Sequence, residues 1–311
     1  MGFKGFEETG YLFYICSNDI VVTIRIIYKL LILLYFVIGL TDAVNKSEER
    51  SNFNNCNFLI SERKEFENKD IYGLISSLQF YNSLEFKEAL LRILQLYFDG
   101  LVEGDNENYF KTFGEQHAAL NSLLRGAKLA VSGFYRKGGK FLPGEIADII
   151  SPYFDSFRKY GSKEISRGRT LYGRENGIFE YALDVAFNLN KKIDLIVPIA
   201  SGGFEPALLL SDYLGVDSFL PVRFSRKQKK DISIMVPPQM SGEYCTEKIC
   251  GKNVLVVDDL VEKGITASRA VNFVNSFHPR EVFFTLDSED SFPLYEKGFL
   301  EISSYVFKLR G

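Results

Sequence analysis

The sequence predicts an α/β domain with a mainly parallel sheet flanked by helices, preceded by a small helical domain. Three observations carry this reading. Beyond about residue 166, short apolar runs alternate with stretches of helical period. One of those runs, Val254-Leu255-Val256-Val257, is unbroken and mostly β-branched, as in a strand buried on both faces. Between residues 70 and 160, by contrast, apolar residues recur at three and four and strand signals are scarce.

The elements follow in chain order. Residues 1–45 form a hydrophobic N-terminal segment, with its apolar stretch at 20–40. That length suits a bilayer span of about 20 residues. Arg25 and Lys29 interrupt it, and a central charge opposes insertion by ~2.5–3.5 kcal/mol. Membrane anchor, buried helix and upstream extension from a wrongly assigned start all remain open. Residues 46–69 are polar and read as a linker. Residues 70–165 read as the helical domain. Leu84, Phe86, Leu90, Leu91, Ile93, Leu94 and Tyr97 share one helical face. Asn82, with Glu85 three later, resembles a capping box that satisfies the first free amides. A second helix is expected over about 109–135, and a third after Pro143-Gly144. His117 falls within the second and reads as a solvated or core histidine rather than a catalytic one.

Residues 166–311 read as the α/β domain. Helices are expected at 177–190, 205–215 and 266–277, and strands at 193–197, 218–224, 254–257 and 282–286. In such sheets ligands bind beyond the carboxyl ends of the strands. The chain of 311 residues suffices for two domains, and its 46% apolar content allows a sizeable core. A net charge of -3 argues against bulk attraction to nucleic acid, and no nucleic-acid partner is expected. The four cysteines include no Cys-x-x-Cys pair and only two histidines accompany them, which argues against zinc. A reducing cytoplasm fits best.

Two loops leave the carboxyl ends of expected strands. The first reads Pro198-Ile199-Ala200-Ser201-Gly202-Gly203. Paired glycines let backbone amides approach an anion, and the following helix adds its positive end. An ordinary glycine turn is the other reading. The second loop reads Asp258-Asp259-Leu260-Val261-Glu262-Lys263-Gly264-Ile265-Thr266. Two adjacent carboxylates at a strand end need cations or hydroxyl donors if buried. A ribose diol or a magnesium shell would supply them. A helix N-cap beside a solvated carboxylate would account for them too.

Taken together, the two loops resemble the phosphoribosyl-pyrophosphate motif of type I phosphoribosyltransferases, over about residues 166–290. Glu262 before the turn is similar to purine-type members such as the xanthine-guanine enzymes. The resemblance implies transfer of phosphoribosyl from phosphoribosyl pyrophosphate (PRPP) to a nitrogen base, purine-like by preference, with release of pyrophosphate. It implies catalytic roles for Asp258, Asp259 and Glu262. The two aspartates would hold the ribose hydroxyls and assist Mg2+. Glu262, Lys263, Gly264, Ile265 and Thr266 would wrap the 5-phosphate, and Ala200, Ser201, Gly202 and Gly203 would face the pyrophosphate. A homodimer is common in the resembled family.

The run Arg223-Phe224-Ser225-Arg226-Lys227-Gln228-Lys229-Lys230 precedes the segment where relatives carry a flexible loop. Arg223, Arg226, Lys227, Lys229 and Lys230 are therefore expected to form a flexible basic loop over the polyphosphate, although a basic run is more often a solvated face. Lys263, Ile265 and Ser201 stand where the family usually carries other residues. Those departures motivate an alternative, a catalytically weak or inactive PRPP-binding regulatory protein. An unrelated α/β hydrolase using Asp258 is a third reading.

Overall fold

The computed structural model describes residues 70–103, 106–161, 175–200, 202–224, 234–237, 240–259, 265–286, 299–301 and 306–309. The hydrophobic segment at 20–40 and the linker at 46–69 lie outside the described residues. Among the described residues, no helix is long and apolar enough to cross a membrane.

The helical part opens with α1 (Ile71–Ser77), whose N-cap Asp70 accepts from the Gly73 amide at 2.8 Å. Helix α2 (Ser83–Glu103) follows. Its start is a reciprocal capping box, as its sequence predicts. The Asn82 amide donates to Glu85 Oε2 at 2.9 Å, and the Glu85 amide donates to Asn82 Oδ1 at 3.0 Å. All seven apolar residues of its predicted face are buried. Helix α3 (Asn106–Arg136) packs along α2. The expected third helix is broken in two. Helix α4 (Pro143–Ile150) passes through a single 3-10 turn (Ser151–Tyr153) into α5 (Phe154–Tyr160). Pro152 lacks the amide that would continue the α-helical ladder.

The α/β part contains α6 (Glu175–Asn188), α7 (Phe204–Leu214), α8 (Glu243–Ile249) and α9 (Ile265–Asn275). Its strands are β1 (Leu195–Ala200), β2 (Val222–Phe224), β3 (Ile234–Met235), β4 (Asn253–Asp258), β5 (Glu281–Leu286), β6 (Phe299–Glu301) and β7 (Val306–Leu309). They form one sheet in the order β3-β2-β1-β4-β5-β7-β6. The central four strands are parallel, and β3 and β7 add on antiparallel.

Two strand expectations need correction. Strand β1 runs to Ala200, so Pro198, Ile199 and Ala200 belong to the strand and the turn begins beyond them. The strand expected over 218–224 is only Val222–Phe224, with an isolated bridge at Phe219. The register Ile199↔Val222 sets Pro198 opposite Pro221. Pro198 has no N–H for this ladder, so pairing with β1 lapses there. Helix α8 was not anticipated at all. Its seven residues bury only Cys245 and Ile249, too few for a readable period.

The sheet core follows from the pleat. Leu195, Val197 and Ile199 of β1, Val254 and Val256 of β4, and Val282 and Phe284 of β5 point to one face. There they meet Ala267, Ala270, Val271 and Val274 of α9, and Cys245 and Ile249 of α8. Helix α7 packs on β1 and β4, and is itself flanked by α6 and α3. Each full burial of such a side chain stabilises by ~1.5–3 kcal/mol. The helices before and after residue 166 belong to one compact unit.

Cys245 gives a direct check of this packing. Its thiol is fully buried and donates to the Met240 carbonyl at 2.6 Å, and burial pushes its pKa up to about 11. Cys250, five residues on, is exposed. Alkylation of the native chain, followed by peptide mass spectrometry, is expected to modify Cys250 and spare Cys245. Equal labelling of the two would contradict the placement of α8.

Candidate PRPP-binding site

The site grows from the strand order. Chain order reverses at β1, because β2 lies on one side of it and β4 on the other. The carboxyl ends of β1 and β4 are therefore adjacent, with a crevice between the loops that leave them. The turn Gly202-Gly203 leads from β1 into α7, and Asp258-Asp259 closes β4.

The two glycines are required by close approach. A Cβ at Gly202 would overlap the Asp259 carboxylate. A Cβ at Gly203 would overlap the Val257 carbonyl oxygen and come within 2.8 Å of the Ile199 amide nitrogen. The Gly203 amide donates to the Ile199 carbonyl at 2.9 Å, and its own carbonyl accepts from Ala207 at 3.1 Å. The turn is thus pressed onto the strands and carries the start of α7 with it.

The two aspartates differ. Asp258 is the last residue of β4 and is 5% exposed. Its Oδ1 accepts the Asp259 amide at 3.0 Å, which sets the direction in which the chain leaves the strand. Asp259 is half-buried, and its carboxylate lies against Gly202. An acid facing a glycine turn at a helix N-terminus suits a ligand carrying both hydroxyls and an anion. Helix α9 opens at Ile265, so Thr266 stands in its first turn, half-buried.

The structure thus brings together Ala200, Gly202, Gly203, Asp258 and Asp259, and places Ile265 and Thr266 at the helix that follows β4. Ser201, Glu262, Lys263, Gly264, Arg226, Lys227, Lys229 and Lys230 lie outside the described residues. Arg223 is a correction. It was expected in a flexible basic loop, but it lies within β2 and ion-pairs with Asp99 of α2. The Arg223 side chain is 12% exposed, and burial of that depth demands a carboxylate partner.

His117 is placed by the same helical layer. Its Nε2 lies 2.8 Å from the Tyr244 hydroxyl of α8, and its ring stacks on Phe113 at 5.5 Å. Burial, and then the charge of Lys248, hold its pKa below the ordinary 6.5. It is a packing histidine, as its mid-helix position suggests. The unfolded chain takes up a proton at 6.5, whereas the folded chain must fall to a lower pH. Stability from this site is therefore full above the unfolded value and declines as pH drops through the folded one. Chemical denaturation of wild type is expected to show that acid decline, and His117→Gln to flatten it. An unchanged slope in the variant would refute the assignment.

Known proteins resemble the same stretch of chain. Residues 171–285 match the family described as phosphoribosyl transferase domain. That segment is similar to phosphoribosyl transferase domains. An orotate phosphoribosyltransferase of Sulfurisphaera tokodaii is 26% identical over 162 residues, or 50% of this chain. The chain spans 65% of that relative's length. Among solved structures, a purine phosphoribosyltransferase from Pyrococcus horikoshii is 22% identical with a TM-score of 0.29, over 36% of this chain and 69% of that one. An adenine phosphoribosyltransferase from Saccharomyces cerevisiae is 27% identical with a TM-score of 0.26, over 35% and 65%.

The segment that matches the phosphoribosyl transferase domain begins well after α2 and α3, yet both helices reach the start of α7. Lys87 of α2 ion-pairs with Glu205, and both side chains are 0% exposed. The Tyr135 hydroxyl of α3 donates to the same carboxylate oxygen at 2.8 Å. These residues were not singled out from sequence. A signal existed, since Lys87 sits on the apolar stripe of α2, three residues after Leu84 and three before Leu90. A lysine in such a stripe requires a buried partner.

Proposed function

We propose that this protein transfers the 5-phosphoribosyl group of PRPP to a nitrogen base and releases pyrophosphate. One observation carries the reading. Within a phosphoribosyl transferase segment, the Asp258-Asp259 pair closes β4 directly against the Gly202-Gly203 turn of β1. Asp258 and Asp259 bind the ribose hydroxyls, and Ala200, Ser201, Gly202 and Gly203 face the pyrophosphate. Glu262, Lys263, Gly264, Ile265 and Thr266 hold the 5-phosphate. Arg226, Lys227, Lys229 and Lys230 screen the polyphosphate, a role from which the paired Arg223 is withdrawn.

The base nitrogen attacks the anomeric carbon with its lone pair. The bond from that carbon to the pyrophosphate oxygen breaks, and its electrons leave with pyrophosphate. The base proton passes to an acceptor, for which Glu262 is placed by motif. Asp258 and Asp259 stabilise the positive charge that grows on the ribose ring.

The donor set fits magnesium brought by the substrate. Mg2+ takes one or two carboxylates and completes its shell with phosphates and water. Asp258 and Asp259 are such a pair. Among the described residues, no group of three acidic, histidine or cysteine side chains forms a cage made of protein alone. Bound there, the ion would offset charge on the leaving pyrophosphate.

Glu262 before the turn favours a purine-like acceptor, whereas the curated relative is named for orotate. A panel of purine and pyrimidine bases, assayed for magnesium-dependent pyrophosphate release, separates them. Asp259→Asn is expected to reduce turnover by about 100-fold or more with the preferred base. If no base supports turnover while PRPP still binds, the protein is a PRPP-binding regulator instead. The departures at Lys263 and Ile265 favour that second reading.

A further inference from the structure

The first turn of α7 holds an acidic side chain where the proposed function needs an anion. Glu205 is two residues beyond Gly203, and its carboxylate is fully buried. An anion at a helix N-terminus is favoured by the helix dipole. A carboxylate there therefore competes with pyrophosphate for the same positive end and repels it. Glu205 Oε2 has no hydrogen-bond partner among the described residues. Its other oxygen, Oε1, is taken by Lys87 and by Tyr135.

The surroundings hold the ammonium of Lys87 at that carboxylate. Lys87 lies 4.7 Å from the Phe134 ring centre and 5.1 Å from that of Tyr135. Glu88 Oε1 approaches it at 2.9 Å. The same helix holds the α/β part twice more. Phe98 packs edge-on against Phe204 at 5.9 Å, and Asp99 pairs with Arg223 within β2. Helix α2 thus brings a cation to the only acid in the first turn of α7.

We propose that Lys87, outside the phosphoribosyl transferase segment, is an electrostatic positioning residue for the pyrophosphate subsite. It neutralises Glu205 and holds it against the helical layer, which leaves the positive end of α7 to the ligand. The inference rests on the proposed PRPP site. Charge in so dry a setting acts over the short distance to the turn with little screening. The two halves of one ion pair should then act in opposite directions on anion binding. A tether whose only role is to hold the fold would weaken binding whichever half is removed.

Calorimetry on the full chain tests this, with inorganic pyrophosphate and Mg–PRPP as probes. Glu205→Gln keeps the shape and an acceptor for Lys87 and Tyr135 while removing the charge. It is expected to tighten pyrophosphate binding about threefold or more. Lys87→Met is expected to weaken it about tenfold, with the KM for the base unchanged. Lys87→Met/Glu205→Gln should return close to wild type. Weaker or unchanged binding in Glu205→Gln overturns the proposal, and that result stands even if Lys87→Met fails to fold. Wild-type chain that binds neither probe would instead remove the PRPP site itself. Wild-type binding with a weakened Glu205→Gln removes only the role of Lys87.

Discussion

Gly202→Ala is expected to leave the fold almost untouched and to disable the site. The added methyl meets the Asp259 carboxylate and no backbone atom among its nearest neighbours. A carboxylate is the free end of a short side chain, so it can swing away at small cost. The denaturation midpoint should therefore shift by no more than about 0.5 kcal/mol in stability. The ligand experiences the whole effect. Asp259 can no longer present its oxygens beside the Gly202-Gly203 turn, and a displacement of about 1 Å costs on the order of 100-fold in rate. Steady-state kinetics should show this loss with the KM for the base little changed. A Gly202→Ala chain with wild-type turnover would separate Asp259 from the chemistry.

Gly203→Ala should behave in the opposite way, although it alters the next residue by the same methyl. Here the neighbours are backbone. The Val257 carbonyl overlaps the new atom, and the Ile199 nitrogen and oxygen lie within 2.8 and 2.9 Å. Strands β1 and β4 are held in register with each other and cannot give locally. Relief requires α7 to lift off both, away from α3 and α6 as well. A loss of about 3 kcal/mol or more is expected, measured by urea denaturation, since overpacking of an unyielding site costs at least this range. A midpoint equal to wild type would show that α7 does not seat on the strands as described.

Much of the site was legible before any coordinates. The run at 254–257 announced a strand buried on both sides, and β4 is buried along its whole length. The order of acids and glycines pointed to a sugar phosphate. Asn82 and Glu85 announced a helix start, because a capping box is local chemistry. Residues that interact within four positions leave their pattern in sequence. Boundaries were less legible. The limits of β1 and β2 depended on Pro198 facing Pro221, a pairing across two strands rather than along one.

Arg223 illustrates what a linear reading misassigns. Its neighbours in sequence are basic, which made it part of a charged run. Its neighbour in space is Asp99, more than 100 residues earlier. Lys87 and Glu205 are separated by 118 residues, and the place of Lys87 in an apolar stripe announces a buried partner without saying which.

The sequence by itself determined the α/β class, the helical region before it, and the two loops that carry acids and glycines. These depend on period, propensity and short spacing, which a chain writes along its length. Only the tertiary structure decided that Gly202 abuts Asp259, that Arg223 lies in β2 paired with Asp99, and that Lys87 of α2 pairs with Glu205 in the first turn of α7. Those contacts join distant segments, and their geometry is set by how helices seat on a sheet. Charge and close approach act through space, where sequence separation leaves no trace.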